Sequence, residues 1–371
     1  MRAGRTRRAR RPFLRLWPMN ISDPPRLLQC LITGGAGFIG SALTRELAGR
    51  GMRVVCLDDG SAGDSVRVPG PLRADSVRGD VGEPGLLAGV LRESGPFDVL
   101  FHLAARVGVR AVLRDPEACR RANLAGVRAL VDAVGSLPAP SRPRVLAASS
   151  SEVYAEGCEP LGEDAPLRAA DARGRFAYAA SKRIGEELLD SAAGLWARTR
   201  GPVHLRLFNV VGPGQSAESG MVLPTFIEAA RAGLPLGVHG DGLQVRTFAH
   251  VDEVARVLAE LALHPALPAG PLNVGGRART SIAGLARAVV ADCGSLAPIV
   301  RVDPLASLGP AFEEVTHRVP DLTRLGSVGI APPCMTLAAI VADTLDRHPA
   351  SPVAGLAPAG AGRRACASPA S

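Results

Sequence analysis

An apolar run, LLQCLIT (27–33), passes directly into TGGAGFIG (33–40) and then into a helical pattern from Phe38 to Ala48. Few folds accommodate that order. Gly35, Gly37 and Gly40 satisfy G-x-G-x-x-G, and Gly34 adds a further small residue. In such a turn one glycine allows the tight bend, one lets backbone approach a pyrophosphate, and one lets helix and strand pack closely. The following helix offers free N–H groups and the positive end of its dipole to an anion. A dinucleotide site is therefore expected here, lined by Gly34, Gly37, Phe38, Ile39 and Gly40.

The rest of the first half repeats the same rhythm. Strands are read at 53–59, 76–80, 98–105, 144–150 and 203–211, with helices across 117–134 and through YAASK (178–182). Near-continuous apolar strands alternating with helices predict an α/β fold, a Rossmann-type doubly wound parallel sheet covered on both faces. After residue 212 Gly and Pro become frequent. Helices at 221–232, 252–263, 281–292 and 336–346 alternate with short strand-like pieces at 272–276 and 299–303. A smaller mixed α/β substrate-binding region is expected there, at the carboxyl ends of the strands. The chain is expected to divide into a disordered basic extension (1–26), an NAD-binding domain (27–212, with 245–263 packing back on it), a substrate region (213–244 and 264–346) and a disordered tail (347–371) rich in Ala, Pro, Gly and Ser.

The net charge of +8 suggests nucleic acid, but its distribution argues against that. Residues 1–18 hold seven arginines and no acid, which accounts for all but one of the excess charges. No nucleic-acid partner is expected, and no apolar run reaches the length that spans a bilayer. The seven cysteines are scattered and contain no CxxC, and the seven histidines show no ligand spacing, so no metal is expected and a cytoplasmic location is.

Asp58 stands at the end of the second strand, 18 residues after Gly40. An acid there hydrogen-bonds the adenosine ribose and repels a 2′-phosphate, which selects NAD over NADP. Arg53 lies at the wrong end of that strand to hold a phosphate. Asp80, followed by Val81 after the third strand, is read equally as an adenine contact or as an ordinary loop acid.

Lys182 is the single lysine in a chain whose other 42 basic residues are arginines, and it lies four residues after Tyr178, one of only two tyrosines. Residues i and i+4 share a helical face. An adjacent ammonium favours the phenolate, and a compact cation with rotatable donors also reaches a ribose hydroxyl, which the planar arginine fork does differently. The alternative for an isolated YxxxK is a solvated helix pair. SSSEVY (149–154), at the end of the fifth strand, favours chemistry: Ser150 is placed to hydrogen-bond the same substrate oxygen, and Glu152 to move a proton.

Together with LDD (57–59), GD (79–80), HLAA (102–105) and RLFNVVGP (206–213), these motifs resemble the NAD-dependent epimerase/dehydratase family, extended short-chain dehydrogenases acting on nucleotide sugars. The resemblance spans about 27–346. It implies a catalytic set of Ser150, Tyr178 and Lys182, a structural asparagine at Asn123, and Leu103 and Ala104 beside the nicotinamide. It implies that Asn209 contacts the substrate and that Arg246 and Arg318 hold a nucleotide diphosphate, a role suited to arginine. A homodimer is implied as well. The implied reaction oxidises the sugar at C4, lets the 4-keto intermediate react, and returns the hydride. Ser-Glu before Val-Tyr is similar to UDP-glucuronate decarboxylases; a 4-epimerase or a 4,6-dehydratase is the alternative, and a non-catalytic NAD sensor is the alternative outside enzymology. Ser151 stands where dTDP-glucose dehydratases carry an acid, and Ala155 and Glu156 replace the usual glycine after Val-Tyr.

Overall fold

A computed structural model describes residues 27–61, 74–157, 159–196, 199–308 and 315–347; the basic extension and the tail beyond residue 347 lie outside them. In chain order the nucleotide-binding half contains β1 (Gln29–Thr33), α1 (Phe38–Gly49), β2 (Arg53–Asp58), β3 (Ala74–Arg78), α2 (Leu86–Glu93), β4 (Val99–His102), α3 (Val109–Arg114), α4 (Pro116–Gly135), β5 (Arg144–Ser150), α5 (Ala177–Ser191) and β6 (Val203–Leu207). Beyond it come β7 (Val210–Val211), α6 (Val222–Arg231), β8 (Leu236–His239), β9 (Val245–Thr247), β10 (Ala249–His250) and α7 (Val251–Leu263). The chain closes with β11 (Gly270–Val274), β12 (Arg279–Ser281), α8 (Ile282–Asp292), β13 (Ile299–Val302), α9 (Pro304–Leu308), β14 (His317–Arg318), α10 (Thr323–Ser327) and α11 (Leu337–Arg347).

Seven parallel strands form the main sheet in the order β11-β6-β5-β4-β1-β2-β3. The period-two geometry of a strand explains why both faces are apolar. In β1, Cys30 and Ile32 join one core with Val54 and Cys56 of β2, while Leu31 joins the other with Val55 and Leu57. Leu43 and Leu47 of α1 and Val254 and Leu258 of α7 cover the first face. Leu87 and Leu91 of α2, Leu130 and Val134 of α4, and Leu189 of α5 cover the second. Each fully buried leucine contributes about 1.5–3 kcal/mol of transfer free energy, so the two layers fix the sheet firmly. The order reverses between β1 and β4, the point at whose carboxyl ends open parallel sheets bind their ligands.

Two readings of the sequence change. The run 203–211 is not one strand. Phe208 N still donates to Val274 O at 2.9 Å, but the carbonyl of Asn209 accepts from Ala249 N at 3.0 Å, so the chain leaves the sheet and β7 pairs with β10 instead. The piece at 272–276, read as part of the smaller region, supplies β11, which pairs with β6 at the edge of the main sheet. The smaller region has its own core, in which Leu223, Phe226, Leu285, Val289, Ile340 and Val341 meet.

Candidate active site

The glycine turn is built as its spacing requires, with one shift of role. The positive φ, +75°, falls on Gly34, where a Cβ would lie 2.7 Å from Ala104 N. At Gly40 a Cβ would lie 2.0 Å from the Gly34 carbonyl oxygen, so any side chain would push helix from strand. Gly37 caps α1 without a side chain to satisfy the first-turn amides of Phe38 and Ile39. Leu103 N donates to Thr33 O at 3.0 Å, which sets Leu103 and Ala104 against the turn. Asp58 Oδ2 accepts from Ala36 N at 2.9 Å and Oδ1 from Gly60 N at 2.8 Å. A carboxylate has about four acceptor sites, so two such bonds leave room for ribose hydroxyls. Uncapped amides, a turn without side chains and this acid fit a dinucleotide. Asp80 is exposed and closes a turn by accepting from Gly82 N at 2.8 Å, the loop-acid geometry; Val81 packs half-buried below it against α4.

Tyr178 and Lys182 lie on α5, facing the end of β5. Lys182 is buried, and its ammonium donates to the Ala148 carbonyl at 2.7 Å, 5.8 Å from the centre of the Tyr178 ring. Burial lowers the Lys182 pKa to about 8, against the opposing influence of Cys119 and Glu186. Below it Thr33 Oγ1 and His102 Nδ1 are 2.9 Å apart, and burial, then the Lys182 charge, holds His102 neutral with a pKa of about 3. The Ser150 hydroxyl accepts from Glu152 N at 3.2 Å, so it caps a turn, and its influence on Tyr178 favours the ionised phenol.

The phenol corrects an expectation. The Tyr178 pKa is raised, not lowered: burial acts first, then the Glu152 carboxylate, then Cys119, and the Ser150 bond opposes them only in part. The ammonium donates to the strand carbonyl, while the charge of the Glu152 carboxylate opposes the phenolate.

That carboxylate is held tightly. Arg318 Nη1 lies 3.3 Å from Glu152 Oε1, and Arg175 Nη1 lies 3.4 Å from Oε2. Burial alone would raise the Glu152 pKa; Arg318, then Arg175, then Arg168, outweigh it and hold the group below its ordinary value. Arg318, expected on a diphosphate, thus lies beside Glu152. Arg246, its partner across β9 and β14, donates to the carbonyls of Val245 at 2.8 Å and Val315 at 2.6 Å. Asn209 Nδ2 donates to Thr247 O at 3.1 Å, on the same strand. The fold therefore brings Ser150, Glu152, Tyr178, Lys182 and Arg318 together, and sets Asn209 and Arg246 around β9.

Supporting residues hold this cluster in place. Asn123 of α4 accepts from Arg106 N at 2.8 Å and donates to Ser181 Oγ at 3.0 Å, joining the end of β4 to α5. Ser149 donates to Glu186 at 2.5 Å, and Arg206 meets the same carboxylate through Nε at 3.0 Å and Nη2 at 2.7 Å. Sequence reading missed Arg175, Glu186 and Arg206. The last two stood at helical spacing from Lys182 and inside a quoted motif; Arg175 had only its place three residues before Tyr178. Among the described residues, no group of His, Cys, Asp and Glu is arranged to hold a metal ion, and no helix is long and apolar enough to cross a membrane.

Comparison with known proteins places this geometry. The family model described as the NAD dependent epimerase/dehydratase family matches residues 30–275. The chain is similar to a UDP-N-acetyl-alpha-D-glucosaminuronate decarboxylase of Bacillus cytotoxicus, with 34% identity over 310 residues, covering 80% of this chain and 90% of that protein. It is also similar to a UDP-glucose 4-epimerase of Mycolicibacterium smegmatis, with 33% identity over 274 residues, covering 72% and 83%. Among solved structures, the UDP-glucose 4-epimerase of Thermus thermophilus in complex with NAD superposes with a TM-score of 0.72 at 28% identity, over 86% of this chain and 98% of that one.

Proposed function

The chain belongs to the NAD-dependent epimerase/dehydratase family, and from that premise we propose that it decarboxylates a nucleotide-diphosphate hexuronate through a 4-keto intermediate. One observation carries the choice of reaction: the ionised Glu152 beside Tyr178, held between Arg175 and Arg318. A 4-epimerase needs proton transfer at C4 alone and gives such a cluster no task. A 4,6-dehydratase needs an acid for the departing C6 hydroxyl, and Glu152 is kept as a carboxylate. Guanidinium groups suit the carboxylate of a uronate.

When bound, NAD supplies the hydride acceptor for C4 and gives the hydride back at the end. Tyr178 takes the C4 hydroxyl proton, with Ser150 hydrogen-bonded to the same oxygen. Lys182 is assigned to the nicotinamide ribose. The 4-keto group is then β to the C6 carboxylate. The C5–C6 bond breaks, its electrons pass to the C4 oxygen as an enolate, and carbon dioxide departs. Glu152, fixed in its anionic form, repels the substrate carboxylate, and that repulsion vanishes as neutral carbon dioxide forms. C5 then takes a proton from water, C4 regains its hydride and, from Tyr178, its proton, and the pentose is released. Asn209 and Arg246 are assigned to the nucleotide-diphosphate end, and Asp58 to the adenosine ribose of NAD.

Incubating the purified protein with UDP-glucuronic acid, its 2-acetamido counterpart, UDP-glucose and dTDP-glucose, and weighing the products, tests the reading. Loss of carbon dioxide from an acidic sugar supports it. Loss of water, or an isomer of unchanged mass, from a neutral sugar alone overturns it.

A further inference from the structure

We propose that Arg175 is the specificity residue through which this site selects an acidic sugar, its guanidinium passing from Glu152 to the carboxylate of the bound nucleotide sugar. The inference rests on the reading of the protein as a hexuronate enzyme and names the side chain that makes that choice.

Arg175 lies in the short 3-10 turn Gly174–Phe176 that opens α5, three residues before Tyr178. Its distance to the catalytic phenol is therefore set by one turn of backbone. The side chain is 10% exposed, so its charge is largely shielded from bulk water. It lies over the Phe176 ring, 4.9 Å from the centroid, and Arg168 lies 3.5 Å from the same centroid. An aromatic face helps orient a guanidinium, whose planar N–H fork grips a carboxylate through two parallel bonds.

The contact with Glu152 is long. Charge-assisted N–H···O bonds are about 2.7–2.9 Å, whereas Arg175 and Arg318 stand 3.4 Å and 3.3 Å from the carboxylate oxygens. Arg318 is fixed from behind, since its strand pairs with β9 and it is itself buried. Arg175 instead sits on the turn that leads into α5, so it is the member of the clasp nearest in the chain to Tyr178. An incoming carboxylate gains a guanidinium already desolvated and oriented, and Glu152 keeps Arg318. A neutral hexose offers nothing for Arg175 to take.

The test uses full-length wild type, Arg175→Gln and Arg175→Lys, each confirmed to bind NAD and to melt cooperatively. Steady-state decarboxylation is measured with whichever acidic sugar, UDP-glucuronic acid or its 2-acetamido counterpart, the wild type converts. The matching neutral sugar, UDP-glucose or UDP-N-acetylglucosamine, is measured as a competitive inhibitor. The glutamine variant is expected to raise KM for the acidic sugar about 10–100-fold, the loss of one charged hydrogen-bonded contact, with inhibition by the neutral sugar unchanged within about threefold. The lysine variant is expected to recover part of the loss. Equal weakening toward both sugars would reduce Arg175 to a scaffold residue, and unchanged preference for the acid would remove it from recognition; either overturns the proposal while decarboxylation by the wild type stands. A wild type that releases no carbon dioxide from either acid overturns the reading beneath it, and the proposal with it.

Discussion

The Lys182 ammonium donates to the Ala148 carbonyl at 2.7 Å, so the only lysine of the chain is tied to the strand that carries Ser150. Burial lowers its pKa to about 8. Between that value and the unfolded value near 10.4 the unfolded chain binds more protons, so this group makes stability rise with pH across that window and costs most below it. Lys182→Met should therefore stabilise the NAD-free protein by about 1–3 kcal/mol at pH 7, with a gain that shrinks toward pH 10, while abolishing turnover. Denaturant melts at several pH values measure it; a variant no more stable than wild type at pH 7 would show that the buried ammonium is fully compensated. The same ionisation should make kcat/KM fall as pH rises through about 8, and Lys182→Arg should lower turnover on the order of 100-fold or more with the fold intact.

Both tyrosines have raised pKa values, Tyr178 and Tyr154 each chiefly through burial. The NAD-free protein should thus show no phenolate absorbance until the pH exceeds the ordinary tyrosine value of about 10. With only two tyrosines in the chain, the titration is directly assignable using Tyr154→Phe. Phenolate below that value from Tyr178 would mean that the Lys182 charge outweighs burial.

Glu152→Gln separates the reactions. If the carboxylate acts after C4 oxidation, the variant should form enzyme-bound NADH in a single turnover and release little product, with kcat down on the order of 100-fold. An unimpaired variant would remove Glu152 from the chemistry and return the reaction to epimerisation.

Asp58→Ala removes the carboxylate acceptors of two backbone N–H groups, those of Ala36 and Gly60, as well as the charge expected to face the ribose. NAD affinity should fall about 10–100-fold and discrimination against NADP should relax. Calorimetric binding of both cofactors decides it; retained preference would assign the ribose to another residue.

The parts of the fold legible from the sequence were those written in short-range periodicity. Cys30, Leu31 and Ile32 alternate between two cores, and the helices expected at 38–48 and 117–134 fall within a residue of their bounds. What escaped depended on partners distant in the chain. Nothing in VHLRLFNVV announces that Asn209 turns to Ala249, and an apolar run continues to look like a strand where the chain changes neighbours. Glu152 and Arg318 meet across 166 positions, so the ion pair that fixes the charge of Glu152 had no local trace. The spacing of Tyr178 and Lys182 predicted a shared face correctly but not the direction of the ammonium. Arg175 was one arginine among 42.

The solitary buried lysine also changes how the protein meets reagents. Its outer surface carries no lysine amine, because the one such amine is 8% exposed in the cleft. Acylating or cross-linking agents that ordinarily decorate a protein broadly are left with the terminal amine and a group that lies where the nicotinamide ribose is expected. Incorporation of one label beyond the terminus would count open active sites, and its suppression by NAD would read occupancy without any substrate.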